Sequence, residues 1–199
     1  MNRKLFVLIC LLVCVSALTI SQVNSVAKVS TRAAQGRTIT GTVVGISGRY
    51  AGRSSPFRLI VNRYTTPEEI QQLTSAMQSG QDELLKTLSH MDAGRISISN
   101  NVGVTANAII RTQQENGTKL TILYQRNINF YELRYGTRSE DYKFGYAEMF
   151  FNRAGRGEGT FIPAAKVRLR DGNTWEVEDF GVFPARLMGL QVRGGSREG

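Results

Sequence analysis

Apolar and polar positions alternate in two early segments of the chain. Thr38 to Ile46 is rich in β-branched residues, and Phe57 to Tyr64 places Phe57, Leu59 and Val61 on one face with Arg58 opposite. A period of two over such short runs predicts strands. The glycine- and serine-rich GISGRYAGRSSP between them predicts a connection. The period then becomes helical. Thr66-Pro67-Glu68-Glu69 supplies an N-cap hydroxyl, a proline at the first helical position and a glutamate placed to close a capping box. Ile70, Leu73 and Met77 follow at helical spacing until Ser79-Gly80 interrupts them. A second helix is expected from Asp82-Glu83, whose charges suit a helix N-terminus, carrying Leu84, Leu85, Leu88 and Met91 and stopping at Gly94. Both apolar stripes read as core packed against a sheet.

After Gly94 the pattern is that of antiparallel strands. Val104 to Arg111 and Lys119 to Arg126 flank Glu115-Asn116-Gly117, a hairpin turn signal. Asn116-Gly117-Thr118 also fits a glycosylation sequon, but turn chemistry explains it without one. Phe144 to Phe151 and Thr160 to Arg170 flank the glycine-rich Arg153–Gly159, which reads as a hairpin loop. It lacks the lysine-serine or lysine-threonine ending of a phosphate loop. Around Asp171-Gly172-Asn173 a two-residue turn would mix apolar and charged residues on both faces. A three-residue turn pairs Leu169 with Trp175 and Val167 with Val177 on one face, and Arg168 with Glu176 and Lys166 with Glu178 on the other. Asn173 then takes the left-handed position that asparagine tolerates. The expected fold is therefore a single β-rich α+β domain over 37–193. About eight mostly antiparallel strands form a sandwich or a partly closed barrel, with two consecutive helices inserted after the second strand.

The first residues belong to a different pattern. Met1-Asn2-Arg3-Lys4 is a short basic start, Leu5 to Ile20 is free of charge, and small residues follow, the order of an export signal. The apolar run is shorter than the roughly 20 residues of a membrane-spanning helix. Cleavage after Val15-Ser16-Ala17 would cut into that run, so the site after Ser25-Val26-Ala27 is preferred. Residues 1–27 are thus expected to be a signal peptide, 28–36 a flexible linker and 194–199 a disordered tail. Both cysteines, Cys10 and Cys14, fall in the signal, and neither follows the small residue that a lipoprotein signal needs. A cysteine-free exported domain can hold no disulfide, thiol nucleophile or thiolate metal site. Export to the periplasm or beyond, in a bacterial envelope, is the expected localisation.

Charge sharpens this reading. From Lys28 to Pro67 there are seven basic side chains and no acid, whereas Glu68 to Gly199 carries sixteen of each sign. The positive excess of the exported chain therefore lies in its first forty residues. Besides a solvated basic face, this predicts contact of Lys28, Arg32, Arg37, Arg49 and Arg53 with anionic envelope material, either lipid headgroups or acidic polysaccharide. Export disfavours a nucleic-acid partner.

The candidate chemistry is sparse. His90 is the only histidine and sits near the end of the second helix, where a cation favours the dipole. One histidine without cysteine makes a zinc site unexpected, and no nucleophile elbow is present for a triad. Asp171-Gly172-Asn173 lacks the other ligands of a calcium loop. Glu176 and Glu178 have cross-strand partners, which leaves a carboxylate hydrolase as a rival reading only. Arg126 to Tyr146 interleaves aromatic and basic residues, and Arg126, Phe130, Tyr131, Arg134, Tyr135, Tyr142 and Tyr146 are the candidate ligand-binding set. No catalytic residue, metal or cofactor is expected. The leading expectation is a non-enzymatic binding or structural protein; its alternatives are the hydrolase and a barrel carrying a small apolar ligand.

Overall fold

The computed structural model describes residues 36–46, 51–127, 141–170, 174–179 and 185–194. Its strands are β1 (Arg37–Gly45), β2 (Ser54–Val61), β3 (Gly94–Ile98), β4 (Val104–Ala106), β5 (Ala108–Gln114), β6 (Gly117–Gln125), β7 (Phe144–Asn152), β8 (Arg156–Arg170), β9 (Thr174–Asp179) and β10 (Ala185–Arg193). Two helices, α1 (Pro67–Ser79) and α2 (Gln81–Ser89), lie between β2 and β3. Among the described residues, no helix is long and apolar enough to cross a membrane.

The strands form one antiparallel sheet in the order β4-β3-β2-β1-β10-β8-β7-β6-β5, with β9 added to β8. The two ends of that order, β4 and β5, are consecutive in the chain with only Asn107 between them. The sheet therefore curls until its ends meet, as a nearly closed barrel. Several backbone groups near this seam, of the kind an open edge would leave unpaired, have partners. Ala93 N donates to the Ala106 carbonyl at 3.0 Å, and Thr65 N to the Ile109 carbonyl at 2.9 Å. Ile109 N donates back to Thr65 Oγ1 at 2.8 Å. Buried Asn107 donates through Nδ2 to the Met91 carbonyl at 3.0 Å and accepts from Gln125 N at 2.8 Å.

Alternation along the strands creates two cores on opposite faces of the sheet. Leu120, Ile122 and Tyr124 of β6 and Ala147, Met149 and Phe151 of β7 point into the barrel with Phe57, Leu59, Phe161 and Leu187. Tyr124 stacks against Phe161 with centroids 6.5 Å apart, and burial raises its phenol above the ordinary range. The barrel axis is thus occupied by side chains. Leu123 of β6 and Phe144 of β7 face outward instead, where Leu73 and Met77 of α1 and Leu84 and Leu88 of α2 cover them.

Helix α1 begins as its capping sequence predicts. Thr66 Oγ1 accepts from Glu69 N at 3.2 Å, and Thr66 N donates to Glu69 Oε2 at 2.9 Å. The β8–β9 register pairs Leu169 with Trp175, Val167 with Val177, Arg168 with Glu176 and Lys166 with Glu178. This is the register of a three-residue turn, although Asp171–Asn173 itself lies outside the described residues. Leu169 and Trp175 are half-buried against the helix-covered core.

Two expectations need correction. Helix α2 ends at Ser89, and Gly94 instead opens β3. A Cβ on Gly94 would lie 2.0 Å from the Ile60 carbonyl oxygen, so this glycine serves close strand packing. The loop after β7 is also shorter than Arg153–Gly159, because Gly157 and Gly159 belong to β8. A Cβ on Gly159 would meet the Glu148 carbonyl oxygen at 2.1 Å. The expected β-rich fold, a partly closed antiparallel barrel with two helices after the second strand, is the one observed; its described strands number ten, since the seam divides one extended segment into β4 and β5 and β10 closes the sheet between β1 and β8. The expected signal, linker and tail lie outside the described residues, except for Gly36 and Gly194.

Candidate functional site

One end of the barrel gathers basic residues from strands far apart in sequence. Arg37 at the start of β1 pairs with Val61 at the end of β2, and Thr38 pairs with Arg193 at the end of β10. The β5–β6 and β7–β8 turns reach the same end, where Gly117 pairs with both Gln114 and Asn152. Inner-face parity then decides which side chains look into the mouth. Ile39 is in the barrel core, so Arg37, two residues earlier, shares its face; Ile109 is in that core, so Arg111 shares its face.

These arginines line a depression of about 440 Å³ with Arg153 of the β7–β8 turn. Its apolar wall includes Ile39, Tyr64, Leu120 and Phe151. Arg37 and Arg111 are half-buried, whereas Arg153 is exposed. The Arg111 guanidinium lies 5.5 Å from the centroid of the Tyr64 ring, close enough for a cation–π contact. Arg153 Nη2 donates to the backbone carbonyl of Glu115 at 3.0 Å. Among the described residues, no carboxylate lines the depression. Three guanidiniums beside apolar side chains form a positive site in a partly water-excluded mouth, suited to a phosphate or carboxylate.

The basic residues singled out from sequence are divided by the fold. Arg37 belongs to this mouth, but Arg53 is at the opposite end of the β1–β2 hairpin, where its carbonyl accepts from Gly45 N at 3.0 Å. Lys28, Arg32 and Arg49 lie outside the described residues. Arg58 is exposed on β2, with Nε 3.5 Å from Ser97 Oγ. Arg63 grips the Glu69 carboxylate at 2.7 and 2.8 Å, and this hydrogen bonding holds the Glu69 pKa below its usual value.

The aromatic candidates are similarly dispersed. Phe130, Tyr131, Arg134 and Tyr135 lie outside the described residues. Arg126 Nε donates to the Tyr142 carbonyl at 2.9 Å, and the hydroxyl of buried Tyr142 donates to Glu178 Oε1 at 2.7 Å. Tyr146 packs against the helix-covered core and donates to Glu148 Oε2 at 2.6 Å. Burial and that carboxylate raise the Tyr146 phenol far above its usual range. Arg126 and Tyr142 are therefore brought together, while Tyr146 makes a separate internal contact.

His90 is the exposed C-cap residue of α2. With Asp92, Arg95, Asn107 and Asn127 it borders a second, polar depression of about 550 Å³. No group of three or more potential metal-ligating His, Cys, Asp or Glu residues occurs among the described residues. Glu176 is held by Arg168 at 2.8 Å and Arg170 at 2.5 Å, and hydrogen bonds from Arg170 and then Arg168 lower its pKa. A glycosidase general acid requires the opposite shift.

Arg111, Arg153 and Tyr64 were absent from the sequence-derived candidates. Arg111 carried a readable signal, because it continues the inward face of Ile109 at the end of an expected strand. Its meeting with Arg37 depends on barrel closure, which local periodicity does not contain. No family model, curated protein or solved structure matches the chain.

Proposed function

We propose that this is an exported, non-enzymatic binding protein of a bacterial envelope, which holds anionic envelope material at the basic end of its barrel. The observation that carries this reading is the depression bordered by Arg37, Arg111 and Arg153 without a carboxylate among its described lining residues. The export step rests on the basic start, charge-free Leu5–Ile20 run and small-residue exit of the sequence. Side chains along the barrel axis favour binding at an end over carriage of an apolar ligand inside.

The test is co-sedimentation of the exported protein with vesicles of phosphatidylcholine containing phosphatidylglycerol, in parallel with vesicles of phosphatidylcholine alone. Binding should require the anionic lipid and weaken as salt shortens the Debye length from about 30 Å at 0.01 M to about 8 Å at 0.15 M. Equal binding to both vesicles, or no binding at the lowest salt, would overturn the proposal.

A further inference from the structure

We infer that the basic mouth is a discrete site for one phosphoryl headgroup and the adjoining part of an anionic lipid. This rests on the function proposed above and gives it a ligand class. Diffuse attraction requires only exposed charges close to an anionic surface. Arg37 and Arg111 are arranged differently. They are half-buried on inner-face positions, next to the buried residues Ile39 and Leu120. Neither has a carboxylate partner among the described residues, and Arg111 is packed over the ring of Tyr64.

The third guanidinium is carried by an ordered turn. Asn152 Oδ1 accepts from Ala154 N at 3.0 Å and from Arg156 N at 3.1 Å, while Arg153 itself is tied to the Glu115 carbonyl. Three planar donors, two of them held by contacts within the fold, can receive the several oxygens of one phosphoryl group with little further ordering. The adjoining wall is apolar: Leu120 and Phe151 are buried, and Val192 remains 42% exposed at the rim. That combination favours a lipid over an acidic polysaccharide, whose neighbouring surface is hydroxylated. The depression also falls within the roughly 300–1,000 Å³ range of small-molecule sites.

The experiment titrates the exported protein by calorimetry with dihexanoylphosphatidylglycerol below its micelle concentration. Saturation at one lipid per chain is expected. Arg37→Gln and Arg111→Gln should each weaken binding by about tenfold. Arg111→Lys keeps the charge but removes the planar fork, so it should weaken the soluble lipid by about fivefold while changing vesicle binding by less than about twofold. An Arg168→Gln/Arg170→Gln protein should bind the soluble lipid like wild type, and circular dichroism of every variant verifies folding. Dihexanoylphosphatidylcholine and inorganic phosphate should each bind at least about tenfold more weakly than the anionic lipid. Equal affinity for phosphatidylcholine would remove the charge argument, and equal affinity for inorganic phosphate would reduce the site to a free-anion site. Tighter binding of an acidic oligosaccharide, or an Arg111→Lys protein indistinguishable from wild type, would likewise overturn the inference. A wild-type protein that binds anionic vesicles but not the soluble lipid sinks the discrete site alone; a wild-type protein that binds neither sinks the proposed function as well.

Discussion

Arg168 and Arg170 on β8 and Arg37 and Arg111 at the barrel mouth use the same side chain to different ends. Across the β8–β9 pair, Arg168 faces Glu176 directly, and Glu176 also reaches Arg170. Across β5–β6, Arg111 faces Leu120; across β1–β2, Arg37 faces Val61. Register therefore gives the first pair carboxylate partners and the second pair apolar neighbours. Exposed ion pairs contribute little to global stability, so those on β8–β9 serve registration. A cation with an apolar cross-strand partner gains no such local contact and stays open to an external anion.

For that difference to be functional, the mouth arginines must be dispensable to the barrel, whose closure falls to the seam. Asn107→Leu tests the seam and should produce the largest effect. It removes the acceptor of Gln125 N–H and the donor to the Met91 carbonyl while leaving both groups in place. Stranding buried polar groups costs about 1–3 kcal/mol apiece, so denaturant unfolding should show a loss of about 2–6 kcal/mol. A loss below about 1 kcal/mol would mean that closure does not depend on Asn107.

Next in size is a change in binding. An Arg37→Gln/Arg111→Gln protein should bind phosphatidylglycerol vesicles about thirtyfold more weakly at low salt, from about 1 kcal/mol per neutralised group. Its thermal midpoint should stay near that of wild type. The Arg168→Gln/Arg170→Gln protein should lose less than about twofold in the same vesicle assay, because its cations are already engaged by Glu176. Equal losses in the two proteins would erase the distinction between the clusters.

The two regions also differ in how far sequence revealed them. The β8–β9 register was legible because the partners are close in the chain and only one turn length separates apolar from charged faces. The α1 cap was legible for the same local reason, as Thr66 and Glu69 are three residues apart. The helix stop at Gly94 was misread because a glycine required by the nearby Ile60 carbonyl looks, in sequence, like a helix terminator. Gly157 and Gly159 misled in the same way, since their close packing against β7 is a tertiary demand. The mouth was legible only in halves. Parity marks Arg111 as inward-facing, and the charge distribution marks Arg37, but their shared depression requires the sheet order β1-β10-β8-β7-β6-β5.

Arg63 offers an internal control for the comparison, as a cation of the early basic stretch that has a carboxylate partner. It binds the same Glu69 whose carboxylate closes the α1 capping box. Thr66→Ala removes the acceptor of Glu69 N and should destabilise by about 1 kcal/mol in denaturant unfolding, whereas Thr66→Ser should restore most of it. Vesicle binding of both variants should match wild type. A binding loss with Thr66→Ala would show that the helix start is coupled to the mouth, contrary to the separation of paired and open cations.

Acid should separate the two kinds of arginine with the smallest change in the molecule. Glu69 is lowered by the Arg63 hydrogen bond, and Glu176 by those from Arg170 and Arg168. A carboxylate with a depressed folded-state pKa contributes stability above its unfolded pKa and loses it as pH falls through the folded value. For glutamates of ordinary value 4.5, the loss should therefore begin below about that pH and continue downward. Carbon-detected carboxylate titrations should place Glu69 and Glu176 below the ordinary glutamate value of 4.5, and Arg63→Gln should return Glu69 toward the ordinary range. The described mouth lining contains no carboxylate to titrate. A phosphodiester headgroup stays ionised over the same interval, while protonation elsewhere makes the protein more positive. Binding to phosphatidylglycerol vesicles should therefore hold or strengthen from pH 7 to about pH 4, so long as the fold persists. If binding instead falls in parallel with protonation of Glu69 or Glu176, a carboxylate contributes to the bound state, and cations paired within the fold can no longer be set apart from those open to a ligand.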